Sequence, residues 1–149
     1  MTEFRWYGNL AEVDVAATRA WYDKAENWGC TCGHCRNYLA LADELPKELV
    51  DILSELGIPS VKATQVCEFY HENGKLFYEL DFRVAGRMLE KAKEAARMPW
   101  GNFSCNDNAE SFYPHSAQDF PTPCFELTVF IWLPWVLDEP IEGMPIVAE

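Results

Sequence analysis

Three thiols fall within six residues in Trp28-Gly29-Cys30-Thr31-Cys32-Gly33-His34-Cys35-Arg36-Asn37, where a glycine-containing turn leads into a helical pattern. Such an entry favours the thiolate, because the free N–H groups and dipole at a helix start stabilise negative charge. Arg36 adds a neighbouring cation. Three chemistries fit this grouping. The first is a tetrahedral zinc site, which takes four Cys or His ligands, often two from a Cys-x-x-Cys turn. Cys32 and Cys35 supply that turn and Cys30 a third ligand; the fourth comes from Cys67, Cys105, Cys124, His34, His71 or His115. Cys67 is the expected choice, since alternation along its strand points it toward the core. The second is thiol–disulfide exchange between Cys32 and Cys35. In the third, the cysteines are reduced packing residues with neither ligand nor turnover.

Cys32-Gly33-His34-Cys35 resembles the active-site tetrad of the protein disulfide isomerases, and a helix follows it here as there. The resemblance implies Cys32 as nucleophile and Cys35 as the thiol that resolves the mixed disulfide. It covers these four residues. A thioredoxin fold places a buried parallel strand just before the motif, whereas Trp21 to Trp28 is polar and helical in pattern, and Cys30 is an additional thiol.

Other chemistry-bearing groups are more scattered. Glu68 and Glu79 are expected opposite each other on the outer face of a hairpin, with Asp81 nearby, a pairing that solvent tolerates on an exposed strand. His71 lies beside a turn and His115 between Pro114 and Ser116. The chain has no Gly-x-Ser-x-Gly elbow, phosphate-binding glycine loop or His-Glu-x-x-His. Its six tryptophans could line a ligand groove, although their spacing suits the core or its edge.

The elements that must hold these groups follow from periodicity. Phe4 and Trp6 mark an opening strand that ends at Gly8-Asn9. Asp14 caps a helix from Val15 to about Lys24. A second helix from about Arg36 carries Tyr38, Leu41, Ala42 and Leu45; a third starts at Pro46 and ends at Gly57. Val66–His71 and Leu76–Val84 flank Asn73-Gly74, which suits the positive φ angles of a type I′ hairpin. A two-residue loop pairs Phe69 with Tyr78 and Cys67 with Leu80, placing Cys67, Phe69, Leu76, Tyr78, Leu80 and Phe82 on the buried side. Phe125 to Leu133 alternates as another strand, with Glu126 and Thr128 outward. Met88 to Met98, rich in Ala, Lys, Glu and Arg, reads as a helix, and one more strand lies near Phe103 to Cys105. The resulting expectation is a single α+β domain over residues 1–149: a helical hairpin and cysteine knuckle packed on an antiparallel sheet that contains the 65–84 hairpin and the 125–133 strand.

The chain has 149 residues, enough for a sizeable core. Twenty-four acidic against twelve basic side chains give a net charge of −12, which repels nucleic-acid phosphates and anionic membranes. No Lys or Arg follows Arg97, and the last fifty residues hold eight acids. The start has no secretory pattern, and Phe125 to Leu137 is short of the about 20 residues that span a bilayer. A cytoplasmic setting, with thiols kept reduced, is expected.

The Trp28–Asn37 segment and the Pro-Trp-Val-Leu-Asp-Glu-Pro run at Pro134–Pro140 together resemble small uncharacterised proteins of gut bacteria and their mobile elements, over most of the chain. That resemblance implies a bacterial cytoplasmic setting and carries over no catalytic residues. The expected role is a non-enzymatic binding or adaptor protein with a structural, zinc-binding or metal-free knuckle and a protein partner. The alternatives are a thiol–disulfide oxidoreductase using Cys32 and Cys35, and an acidic interaction protein of phage or mobile elements that docks a basic partner.

Overall fold

The computed structural model describes residues 1–25, 32–107 and 119–141. Among the described residues, three α-helices lie on one face of a seven-stranded antiparallel sheet, which makes the fold α+β. Strands β1 (Thr2–Trp6) and β2 (Asn9–Val13) form a hairpin through Tyr7 and Gly8, both at positive φ. The opening strand was expected; its return along Leu10, Ala11 and Val13 was not. Helix α1 (Val15–Lys24) begins at Asp14, whose Oδ1 accepts the Ala17 N–H at 2.9 Å. The Asp14 N–H then donates to the Ala85 carbonyl, and Thr18 Oγ1 accepts from the Ala85 N–H, so the cap also docks the helix on the sheet.

Helix α2 (Gly33–Leu41) has Cys32 as its N-cap, one turn earlier than the apolar spacing suggests. Helix α3 (Lys47–Leu56) stops at Gly57, in the left-handed region at φ 75°. There the Ile58 N–H returns to the Leu53 carbonyl, closing the helix end as in a Schellman motif.

Strand β3 (Gln65–Glu72) turns at Asn73-Gly74 into β4 (Lys75–Glu90), the longest strand. One edge of β4 pairs with β7 (Cys124–Pro134); the other pairs first with β3 and then with β2. The change of partner comes at Gly86, where φ is 143° and a Cβ would run into the Glu12 carbonyl. Strands β5 (Ala96–Met98) and β6 (Gly101–Asn106) complete the other side of the sheet.

The Met88–Met98 helix is overturned. Residues 88–90 end β4, paired to Leu10 and Ala11, and 96–98 form β5. Helix-favouring side chains lose here because strand pairing satisfies the same backbone groups and each propensity is worth only a fraction of a kcal/mol. The strand near Phe103–Cys105 is present as β6.

The core lies between the helices and one side of the sheet. Leu76, Tyr78, Leu80, Phe82 and Val84 of β4 and Phe125, Leu127, Val129 and Ile131 of β7 meet Tyr22, Tyr38, Leu49, Leu53 and Leu56 there. No helix among the described residues is long and apolar enough to cross a membrane.

Candidate functional site

The hairpin begins in the expected register: Glu72 pairs with Lys75, His71 with Leu76 and Tyr70 with Phe77. A bulge at Phe69 then inserts one residue, so Glu68 pairs with Tyr78, Cys67 with Glu79 and Gln65 with Asp81. Side chains alternate along a strand, and one extra residue moves every later side chain to the other face. The expected pairs Phe69–Tyr78 and Cys67–Leu80 are therefore replaced. Cys67 and Phe69 leave the helix side for the opposite face, and Glu68 joins Tyr78 under α2. Glu68 and Glu79 consequently do not face each other.

This register decides what surrounds the cysteine motif. Cys32 is exposed at the N-cap of α2, and Cys35, one turn on, is buried. Neither is bridged. Between them, His34 Nδ1 lies 3.0 Å from Glu68 Oε1. His34 Nδ1 donates to the Glu68 carboxylate. Cys67 points away on the other side of the sheet, so the structure does not bring it to Cys32 and Cys35. Cys30 and His115 lie outside the described residues. Among the described residues, no three His, Cys, Asp or Glu side chains converge as a metal site.

The rest of the first turn of α2 is fixed by buried hydrogen bonds. Tyr78 Oη donates to the His34 carbonyl at 2.8 Å and accepts from Asn37 Nδ2 at 3.2 Å. Burial pushes the Tyr78 phenol up, so it keeps its proton and remains a donor. Asn37, fully buried, also donates to the Pro134 carbonyl at 3.1 Å and accepts from the Val136 N–H at 2.8 Å. Arg36 pairs with Glu139, which holds the guanidinium firmly protonated. A Cβ on Gly33 would come within 3.2 Å of the Trp135 ring. Trp135 is itself held by its N–H to the Gly74 carbonyl, 2.9 Å away, and by its indole N–H to the Glu139 carbonyl. The Cys-Gly-His-Cys-Arg-Asn run and the Pro-Trp-Val-Leu-Asp-Glu run, about a hundred residues apart in sequence, thus form one structure.

Asn37, Trp135 and Glu139 were not singled out as site residues, and Glu68 was expected on the outer face opposite Glu79. The signal for Asn37 was a polar side chain in the apolar stripe beside Tyr38 and Leu41. Glu68 could not be placed without the bulge.

The remaining described cysteines sit in different surroundings. Burial pushes the Cys67 and Cys124 thiols up, with Gln65 donating to Cys67 Sγ in partial compensation. Cys105, on the core side, is pushed up to about 12 by burial. All three are kept as thiols at neutral pH, whereas Cys32 is presented to solvent.

No protein-family model, curated protein or solved structure matches the chain.

Proposed function

We propose that the chain performs thiol–disulfide exchange through Cys32 and Cys35. The observation that carries this reading is the placement of the two thiols in one helical turn, Cys32 exposed at the N-cap and Cys35 buried three residues on. Residues so spaced on a helix lie about one pitch apart, roughly 5 Å, inside the Cα separation that a disulfide accepts.

The Cys32 thiolate attacks one sulfur of a disulfide substrate, forming a mixed disulfide and releasing the other half as a thiolate. The Cys35 thiolate then attacks the Cys32 sulfur and expels the remaining half. The protein is left with a Cys32–Cys35 disulfide, and a dithiol reductant returns it to two thiols while becoming a disulfide itself. His34, between the two cysteines in sequence, is oriented by Glu68. Tyr78 and Asn37 keep the turn in place. Among the described residues the scaffold differs from a thioredoxin fold: the sheet is antiparallel throughout, and the element preceding α2 is the helix α1.

A mixed-disulfide trap tests the reading. Cys35→Ser treated with hydroxyethyl disulfide is expected to retain one adduct on Cys32, and Cys32→Ser none at the helix start. Failure of Cys32 to react where a free model thiol does would overturn the proposal. So would one zinc ion per chain in native mass spectra of protein purified without added metal, which would return Cys30, Cys32 and Cys35 to a metal knuckle.

A further inference from the structure

The sheet face turned away from the helices carries five aromatic side chains that the core does not use. Phe69, Tyr70, Phe77, Phe130 and Trp132 pack on one another, with Phe77 at the centre. Its ring centroid lies 5.3 Å from Tyr70, 5.8 Å from Phe130 and 5.0 Å from Trp132. Phe69 closes the group at 6.0 Å from Phe130 and is 40% exposed; the other four are half-buried. None of the five belongs to the hydrophobic core. Aromatic side chains collected in this way on an outer face mark an interaction surface rather than scattered exposure. At the hairpin end the group opens into a cleft of about 550 Å³ between Glu72, Lys75, Pro99, Trp100 and Trp132.

The charges around this shelf select its occupant. Glu79 projects on the same face directly beyond Phe77, opposite Phe130 on one side and Cys67 on the other. Glu72 lines the cleft. The cations on this face are Lys75 at the turn, Arg83 and Arg87, engaged by Glu126 at 3.3 Å and Glu12 at 2.6 Å, and Arg97, which register places across Asn102 from Phe130 at the far edge of the sheet. The whole chain carries −12. A cation over the face of an aromatic ring is attracted by the ring quadrupole, and a carboxylate at the rim adds to that attraction.

We infer that the aromatic shelf docks a basic segment of another protein, with Lys or Arg side chains lying over the rings and reaching Glu79 and Glu72. From Phe77 to Arg83 the strand runs about 20 Å, room for about six extended residues.

Fluorescence anisotropy with a labelled Arg-Gly dodecapeptide, read against a Glu-Gly peptide of equal length, tests this. The Arg-Gly peptide is expected to bind and the Glu-Gly peptide not. Phe69→Ser, at the exposed edge of the shelf, and Glu79→Gln are each expected to weaken binding by about threefold to tenfold. Glu55→Gln, on the exposed surface of α3, makes the same change in net charge and is expected to leave affinity unchanged. Equal loss with Glu55→Gln would reduce the effect to bulk charge and overturn the inference. So would binding insensitive to both shelf variants, no binding of the Arg-Gly peptide, or capture of cellohexaose on the shelf in its place. Circular dichroism of each variant separates lost binding from lost folding.

Discussion

On β4, Tyr78, Leu80 and Phe82 are fully buried against the helices, while on the opposite side Phe77, Glu79 and Arg83 are half-buried and Asp81 is buried. The same strand therefore serves two surfaces. The covered face is apolar and tightly packed, and where polar groups enter it, as with Asn37 and Tyr78, they are hydrogen-bonded. The open face mixes rings with carboxylates and tolerates partial exposure. The covered face supplies the core and holds the thiol motif at its rim, and the open face keeps aromatic side chains partly exposed.

Substitutions should separate the two faces by size of effect. Leu80→Ala removes a fully buried side chain from the covered face and is expected to cost about 2–5 kcal/mol in urea unfolding. Asn37→Ala comes next. It leaves the Val136 N–H and the Pro134 carbonyl without their partner and is expected to cost about 2–3 kcal/mol. It should also loosen the first turn of α2, visible as faster alkylation of Cys35. A loss below about 1 kcal/mol would mean that Asn37 does not join the two motif runs.

On the open face, Asp81 supplies a pH test. It is 3% exposed, accepts from Thr128 Oγ1 at 2.8 Å, and is pushed up to about 8 by burial first and by the neighbouring Glu79 carboxylate second. Between about pH 4, where the unfolded chain releases this proton, and about pH 8, the folded chain still holds it. The folded state then binds more protons than the unfolded state, so stability falls as pH rises through that window. Glu126, also raised by burial, acts in the same direction. Asp81→Asn keeps the shape without the titration and is expected to raise Tm at pH 8.5 by about 3–6 °C relative to the parent, with little change near pH 4. An unchanged pH slope would show that the carboxyl is solvated. Phe69→Ala should have the smallest effect, within about 1 kcal/mol, because its ring lies on the shelf and outside the core.

Much of the framework was legible because local chemistry dictated it. Asp14 as a cap, Gly57 as a helix stop, and Asn73-Gly74 as a two-residue turn each act within a few residues. The alternation of Phe125 to Leu133 identified β7 without any knowledge of its partners. The α1–β4 docking and the return strand β2 depend on distant backbone and could not be read that way. Met88–Met98 shows tertiary pairing overriding propensity. The bulge at Phe69 had the greatest consequence. Val66–His71 carries no glycine or proline to mark the inserted residue, yet that residue alone moved Cys67 away from the other thiols and brought Glu68 to His34. It also completed the aromatic shelf by turning Phe69 outward. The thiol motif itself was visible from spacing; its union with Pro134–Glu139 was not, because about a hundred residues separate the two runs.

The most direct test equilibrates the intact protein in glutathione buffers of graded ratio, traps the thiols with acid and maps every cysteine by mass spectrometry. Reversible formation of one Cys32–Cys35 disulfide is expected, with Cys67, Cys105 and Cys124 reduced throughout and a midpoint between about −270 and −180 mV. A chain in which Cys32 and Cys35 stay reduced across that range, or in which Cys32 bonds to a different cysteine, would contradict the account.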